Sequence, residues 1–125
     1  MFAKAKREKR GCLVGFVTGM DPDFETSKKI LIEMSKYCHA VEVGNPFNTS
    51  TADSSVIMNS SEVAIAAGAN TQKILNLIEE IKSENTKFPL AIMGYLNSLY
   101  GYGIKKFAKE CLADSCIIVD SSLDC

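Results

Sequence analysis

The sequence has no tryptophan and a single histidine in 125 residues, so two of the commoner carriers of site chemistry are scarce. His39 alone is too few for a zinc centre and has no cysteine at ligand spacing, so no metal is expected. The five cysteines (Cys12, Cys38, Cys111, Cys116, Cys125) form no C-x-x-C pair and are odd in number. Without a secretion signal they read as reduced, mostly buried thiols. A nucleophilic role for Cys12 or Cys116 lacks a base nearby in sequence. No apolar run approaches the ~20 residues of a membrane span. The N-terminus lacks the apolar core of a signal peptide, and a cytoplasmic location is expected. A formal net charge of −1 leaves no footprint for nucleic acid or anionic lipid. No G-x-G-x-x-G or Walker-type loop supports a nucleotide fold, and no linker, low-complexity tract or internal repeat divides the chain.

What is present alternates between strand and helix. A basic cluster, Lys4 to Arg10, reads either as an anion-binding or targeting arm or as the wet face of a short helix. Residues 11–18 form a continuous apolar strand. Asp21-Pro22 offers a cap and a first-turn proline for a helix with Ile30, Met34 and Tyr37 on one stripe and Leu31 and Cys38 beside it. Residues 40–44 read as a second strand. Residues 61–67 suit a short helix stopped by Gly68. Thr71 then caps a helix carrying Ile74, Leu77, Ile78 and Ile81 at i, i+3, i+4, i+7. Residues 88–93 and 116–119 read as the third and fourth strands, separated by a helix with Ile104, Phe107, Ala108 and Cys111. Strands divided by helices predict right-handed βαβ units and a parallel sheet, either small and open or part of a barrel.

Glu42 stands out within that pattern. It interrupts the apolar run Ala40-Val41-Glu42-Val43-Gly44, and a charge on a strand covered on both faces costs several kcal/mol unless it faces a polar cavity. The loop that follows ends on a second carboxylate, Asp53. Two carboxylates at a strand end and on the next loop can converge on one pocket and do acid–base work. The plainer alternative makes Glu42 a solvated residue of an antiparallel edge and Asp53 a helix cap.

These residues resemble the α subunit of tryptophan synthase. The likeness is colinear through Gly15-Phe16-Val17-Thr18, Asp21-Pro22, the E-x-G-x-P-F loop from Glu42 to Phe47 with Ala52-Asp53, Ala67-Gly68, Met93-Gly94-Tyr95-Leu96-Asn97 and Val119-Asp120. The resemblance implies a TIM (β/α)8 barrel enzyme that cleaves indole-3-glycerol phosphate to indole and glyceraldehyde 3-phosphate. It implies Glu42 as the acid–base residue and Asp53 as acceptor of the indole N1–H, with Phe16, Met93, Tyr95 and Ile117 lining the indole pocket. No cofactor is implied for this chain; the family passes indole to a pyridoxal-phosphate β subunit, the implied partner.

The departures are equally specific. Thr49 and Ser50 replace an acid and a proline of the surface that meets the β subunit, removing a polar partner and a rigid turn. Ser54-Ser55 stands for Gly-Pro, Met58 for glutamine, Met20 for glycine and Ser98 for proline, while Asn97 is retained. A complete barrel needs ~250 residues. Residues 1–125 are therefore expected to form one partial (β/α)8 domain, the N-terminal part of the barrel with about four parallel strands. The phosphate-binding loops would lie in the other half. The open edges and bare inner face of such a sheet invite self-association. A non-catalytic half-barrel remnant or interaction module is the alternative reading.

Overall fold

Four short strands pair in chain order: β1 (Val14–Thr18), β2 (Ala40–Gly44), β3 (Leu90–Tyr95) and β4 (Ser115–Val119). In this computed structural model, which describes residues 2–49 and 52–120, every pairing is parallel. Parallel neighbours cannot be joined by a tight turn, so each connection carries helix. The helices are α1 (Phe2–Arg7), α2 (Phe24–Met34), α3 (Ser55–Ala66), α4 (Thr71–Glu84), α5 (Leu96–Tyr102) and α6 (Ile104–Glu110).

The register aligns Phe16, Glu42, Ala91 and Ser115 in one row across the sheet. The next row holds Val17, Val43, Ile92 and Cys116. Alternate rows face opposite sides. Val41, Val43, Leu90 and Ile92 are buried against Leu31 of α2 and Ile74, Leu77, Ile78 and Ile81 of α4. Each such side chain contributes roughly 1.5–3 kcal/mol by leaving water. The α4 face follows the expected spacing. Lys28 of α2 lies 2.9 Å from Glu80 and 3.1 Å from Glu84, tying α2 to α4 at their wet edge.

Local details correct the sequence reading. Asp23, rather than Asp21, caps α2: its carboxylate accepts from Thr26 N and Thr26 Oγ1, both at 2.8 Å. These bonds, the backbone one foremost, hold its carboxyl below the usual range. Asp21 instead accepts from Ser60 Oγ. The buried stripe of α2 runs through Ser27 and Leu31, leaving Ile30 and Tyr37 exposed. The helix ends at Met34, so Tyr37 falls beyond it, and Ser27 is drawn inward because its Oγ accepts from Met20 N at 3.0 Å. Asn70, one residue before Thr71, caps α4 by accepting from Lys73 N at 3.0 Å. α3 begins at Ser55, six residues earlier than its apolar spacing suggests, and Gly68 (φ 85°) stops it in the conformation glycine favours. α5, unexpected from sequence, follows β3 directly. The basic cluster lies on and just after α1, whose one buried residue is Ala5. Cys125 and Ser50 lie outside the described residues. No helix among the described residues is long and apolar enough to cross a membrane.

Lys82, on the helix-covered side, joins α4 to the start of β4. Its Nζ donates to Asp114 Oδ2 at 2.6 Å and to Phe88 O at 3.0 Å, and Leu90 N donates to the same Asp114 oxygen at 2.8 Å. Burial opposes the charge of Asp114, but the bonds from Lys82 and Leu90 outweigh it and hold the carboxyl below its ordinary 3.8. The carboxyl titrates lower when folded, so its stabilisation is complete above 3.8 and is lost as pH falls through the folded value. Asp114→Asn is expected to lower stability by about 1–2 kcal/mol at neutral pH, discounted for the partial exposure of the carboxylate. Denaturant titrations should show that gap closing as pH is taken below 3.8.

Candidate active site

Even-numbered residues of β1 and β2 and odd-numbered residues of β3 and β4 share the face opposite the helices. Phe16, Glu42, Met93, Tyr95 and Ile117 all stand on it. β2 is an inner strand with parallel neighbours on both sides, which removes the antiparallel-edge account of Glu42. Glu42 is half-buried there, between Phe16 and Ala91 in its row. Ser54 holds the N-cap position of α3, so Asp53 is not the cap.

At the C-terminal ends of the strands a cleft is walled by Phe16, Asp53, Met93 and Tyr95, with Phe47 and Val119 beside them. Its walls lie close together, leaving about 10 Å³, room for about one water. Gly44 opens it: a Cβ there would stand 2.8 Å from Phe16 Cζ, so the ring lies over bare backbone. The rings of Phe47 and Tyr95 stack with centroids 5.0 Å apart at 26°. Tyr95 OH donates to Asp53 Oδ2 at 3.2 Å and accepts from Ala52 N at 3.1 Å. The second carboxylate therefore sits in a fixed polar corner of a cleft whose aromatic and apolar walls also carry Thr18, Asn45 and Ser61.

Glu42 and Ile117 do not line this cleft. They border a second depression, nearer the N-terminal ends of the strands, with Phe2 and Val14. Glu42 is two residues below Gly44, and on β4 it is Val119, in the row of Tyr95, that reaches the upper cleft. The structure thus brings together four of the six expected residues and leaves two on the same face but outside the cleft.

Asn45, which the sequence reading passed over, is buried beside the cleft. Its backbone N donates to Met93 O at 2.7 Å, and its Nδ2 donates to Thr71 Oγ1 at 3.1 Å and Ser98 Oγ at 3.3 Å. A polar residue immediately after an apolar strand was the available signal. Among the described residues no cluster of three or more His, Cys, Asp or Glu could hold a metal ion.

A parallel sheet with its cleft at the strand C-termini and helices on one face is the arrangement of part of an α/β barrel. The family model described as tryptophan synthase alpha chain matches residues 2–124, and the chain belongs to that family. Curated relatives named tryptophan synthase alpha chain include one from Geotalea uraniireducens, 37% identical across 95% of this chain and 46% of its own length. Another, from Desulfatibacillum aliphaticivorans, is 40% identical across 94% of this chain and 44% of its own length. The chain spans about half the length of the curated relatives it matches. Among solved structures, tryptophan synthase subunit alpha from Legionella pneumophila superposes with a TM-score of 0.89 at 29% identity, over 94% of this chain and 46% of that one. A tryptophan synthase complex from Pyrococcus furiosus gives 0.81 at 26% identity, over 86% and 46%. These matches fix the sheet as part of a TIM barrel.

Gly44→Ala is expected to push the Phe16 ring out of the cleft and lower stability by about 1–3 kcal/mol, as overpacking does. Thermal denaturation together with the Phe16 ring signals in NMR spectra would check it.

Proposed function

We propose that this chain carries the indole end of a lyase site in tryptophan biosynthesis, acting on indole-3-glycerol phosphate. The observation that carries the reading is a carboxylate, Asp53, the one charged side chain among the described residues of a cleft wall that it shares with Phe16, Met93 and Tyr95. Walls of that composition suit a flat apolar ring system bearing one N–H, once they part to admit it.

In the proposed reaction Glu42, protonated, delivers its proton to indole C3, and the positive charge that results is carried largely at N1. Asp53, accepting the N1–H hydrogen bond, stabilises that charge as it develops. The Glu42 carboxylate then removes the proton of the hydroxyl on the carbon attached to C3. The electrons of the broken O–H bond form the second C–O bond of the aldehyde, the C3–carbon bond breaks, and its electron pair returns to the ring to restore neutral indole. Glu42 ends protonated as it began. Its place beside Phe16, on the same face and two residues before Gly44, suits contact with the glycerol side of a substrate whose ring lies above.

No lysine or arginine lines the cleft, so its described residues offer the phosphate no cation. Residues 1–125 are read as one part-barrel unit, cytoplasmic like the pathway the family serves. A β-type subunit is a proposed partner, and Thr49, exposed in the loop, brings no charge to that contact. A second reading, pairing through the open face, is favoured by the exposure of Val14 (40%), Phe16 (36%) and Ile117 (38%) on it. Sedimentation distinguishes it, since a concentration-independent monomer rules such pairing out.

Indole release from indole-3-glycerol phosphate by the purified chain tests the leading reading. Glu42→Gln is expected to lower kcat by about 10²–10⁴-fold, the usual weight of general acid–base catalysis. Release unaffected by that substitution, or absent from the unsubstituted chain, would sink it.

A further inference from the structure

Tyr95 sits where three parts of the cleft meet. It is only 4% exposed, its ring stacks on Phe47 at the start of the loop, and its hydroxyl engages Ala52 and Asp53 at the loop's end. A phenol has one hydrogen to donate, and here that hydrogen goes to Asp53 Oδ2. The backbone at Tyr95 is itself held: its carbonyl accepts from Ser98 Oγ at 2.8 Å, and Ser98 Oγ accepts from Asn45 Nδ2 at 3.3 Å. Ser98 stands where the resemblance expects proline, which could make neither bond. The hydroxyl of Tyr95 is therefore directed at the carboxylate, while the ring alone is left to face a guest.

We propose that Tyr95 is the positioning residue for Asp53, engaging one carboxylate oxygen so that the other is presented to a ring N–H. Tyr95 then sets the preference of the cleft for N–H heteroaromatics over isosteres that lack the donor. This rests on the reading of Asp53 as the N–H acceptor. A carboxylate free to rotate still attracts an N–H, but it spreads that attraction over many geometries and discriminates less.

The test uses the full chain, with indole and its oxygen isostere benzofuran as probes. The protein has no tryptophan, so indole emission reports binding directly and benzofuran is measured by competition. The unsubstituted chain is expected to prefer indole by about tenfold or more, the worth of a hydrogen bond to a charged group. Tyr95→Phe keeps the stacked ring and is expected to reduce that preference about three- to tenfold, with benzofuran affinity changed less than about twofold. Ser98→Ala, which removes the bond to the Tyr95 carbonyl and leaves the phenol in place, should shift the preference in the same direction by less. If Asp53→Asn abolishes the preference while Tyr95→Phe and Ser98→Ala both keep it, Tyr95 has no positioning role. If Asp53→Asn retains it, or the unsubstituted chain shows none, the reading of Asp53 fails and takes this inference with it.

Discussion

The parallel register of β2 between β1 and β3 is the constraint on which both core and cleft depend. Val41 and Val43 are fully buried against the helices, while Glu42 between them points to the uncovered face. A slip of one residue would exchange the two sets. It would place a carboxylate in the apolar layer, at a cost of several kcal/mol, and expose two valines. The same pairing aligns Gly44 with Thr18 and Met93, leaving room above β2 for the ring of Phe16. Core and cleft are two sides of one pattern of hydrogen bonds.

Above the sheet the ladder continues into the loops before it ends. Gly19 N donates to Gly44 O at 2.9 Å and Asn45 N to Met93 O at 2.7 Å, so the turn after β1 and the loop after β2 both leave from fixed points. Asn45 then links that loop through its side chain to Thr71 at the start of α4 and to Ser98 in α5. Each neutral bond contributes only about 1 kcal/mol net. Their effect lies in converging on one place, since a loop anchored at Asn45, Phe47, Ala52 and Asp53 has few ways to move its carboxylate. Asn45 meets part of this at a cost: its buried Oδ1 has no hydrogen-bond partner among the described residues.

The strands and the α4 stripe were legible because their signal is apolar spacing, which the core enforces directly. Glu42 was legible for the opposite reason: a charge inside such a run needs a face free of helices, and the half-covered sheet supplies one. Helix boundaries were harder to read. Asp21 and Asp23 are equally good caps on paper, and only the reach of Asp23 to Thr26 N decides between them. The first half of α3 holds its apolar residues in one mostly exposed run, Val56-Ile57-Met58, so no apolar periodicity marks it. α5 owes its place to the end of β3 rather than to a stripe of its own. The cleft shows the same division. Which side of a strand Phe16 and Met93 occupy follows from alternation, whereas the contact between Asp53 and a tyrosine 42 positions away depends on tertiary placement that no local pattern encodes.

The two candidate carboxylates are held differently, and the difference fits the work proposed for each. Asp53 accepts from a buried phenol that is itself clasped between a stacked ring and a backbone amide. Glu42, held only by its strand, makes no side-chain hydrogen bond or ion pair among the described residues. A group that must stay charged while a cation develops opposite it gains from fixed donors, because a preorganised dipole needs no reorganisation during reaction. A group that must give up a proton and take one back gains nothing from a permanent partner, which would favour one protonation state over the other. With the roles exchanged, the anchored residue would have to break its bond to Tyr95 in every cycle, and the unanchored one would stabilise charge from a side chain free to turn. The arrangement therefore supports Glu42 as the proton carrier and Asp53 as the fixed acceptor.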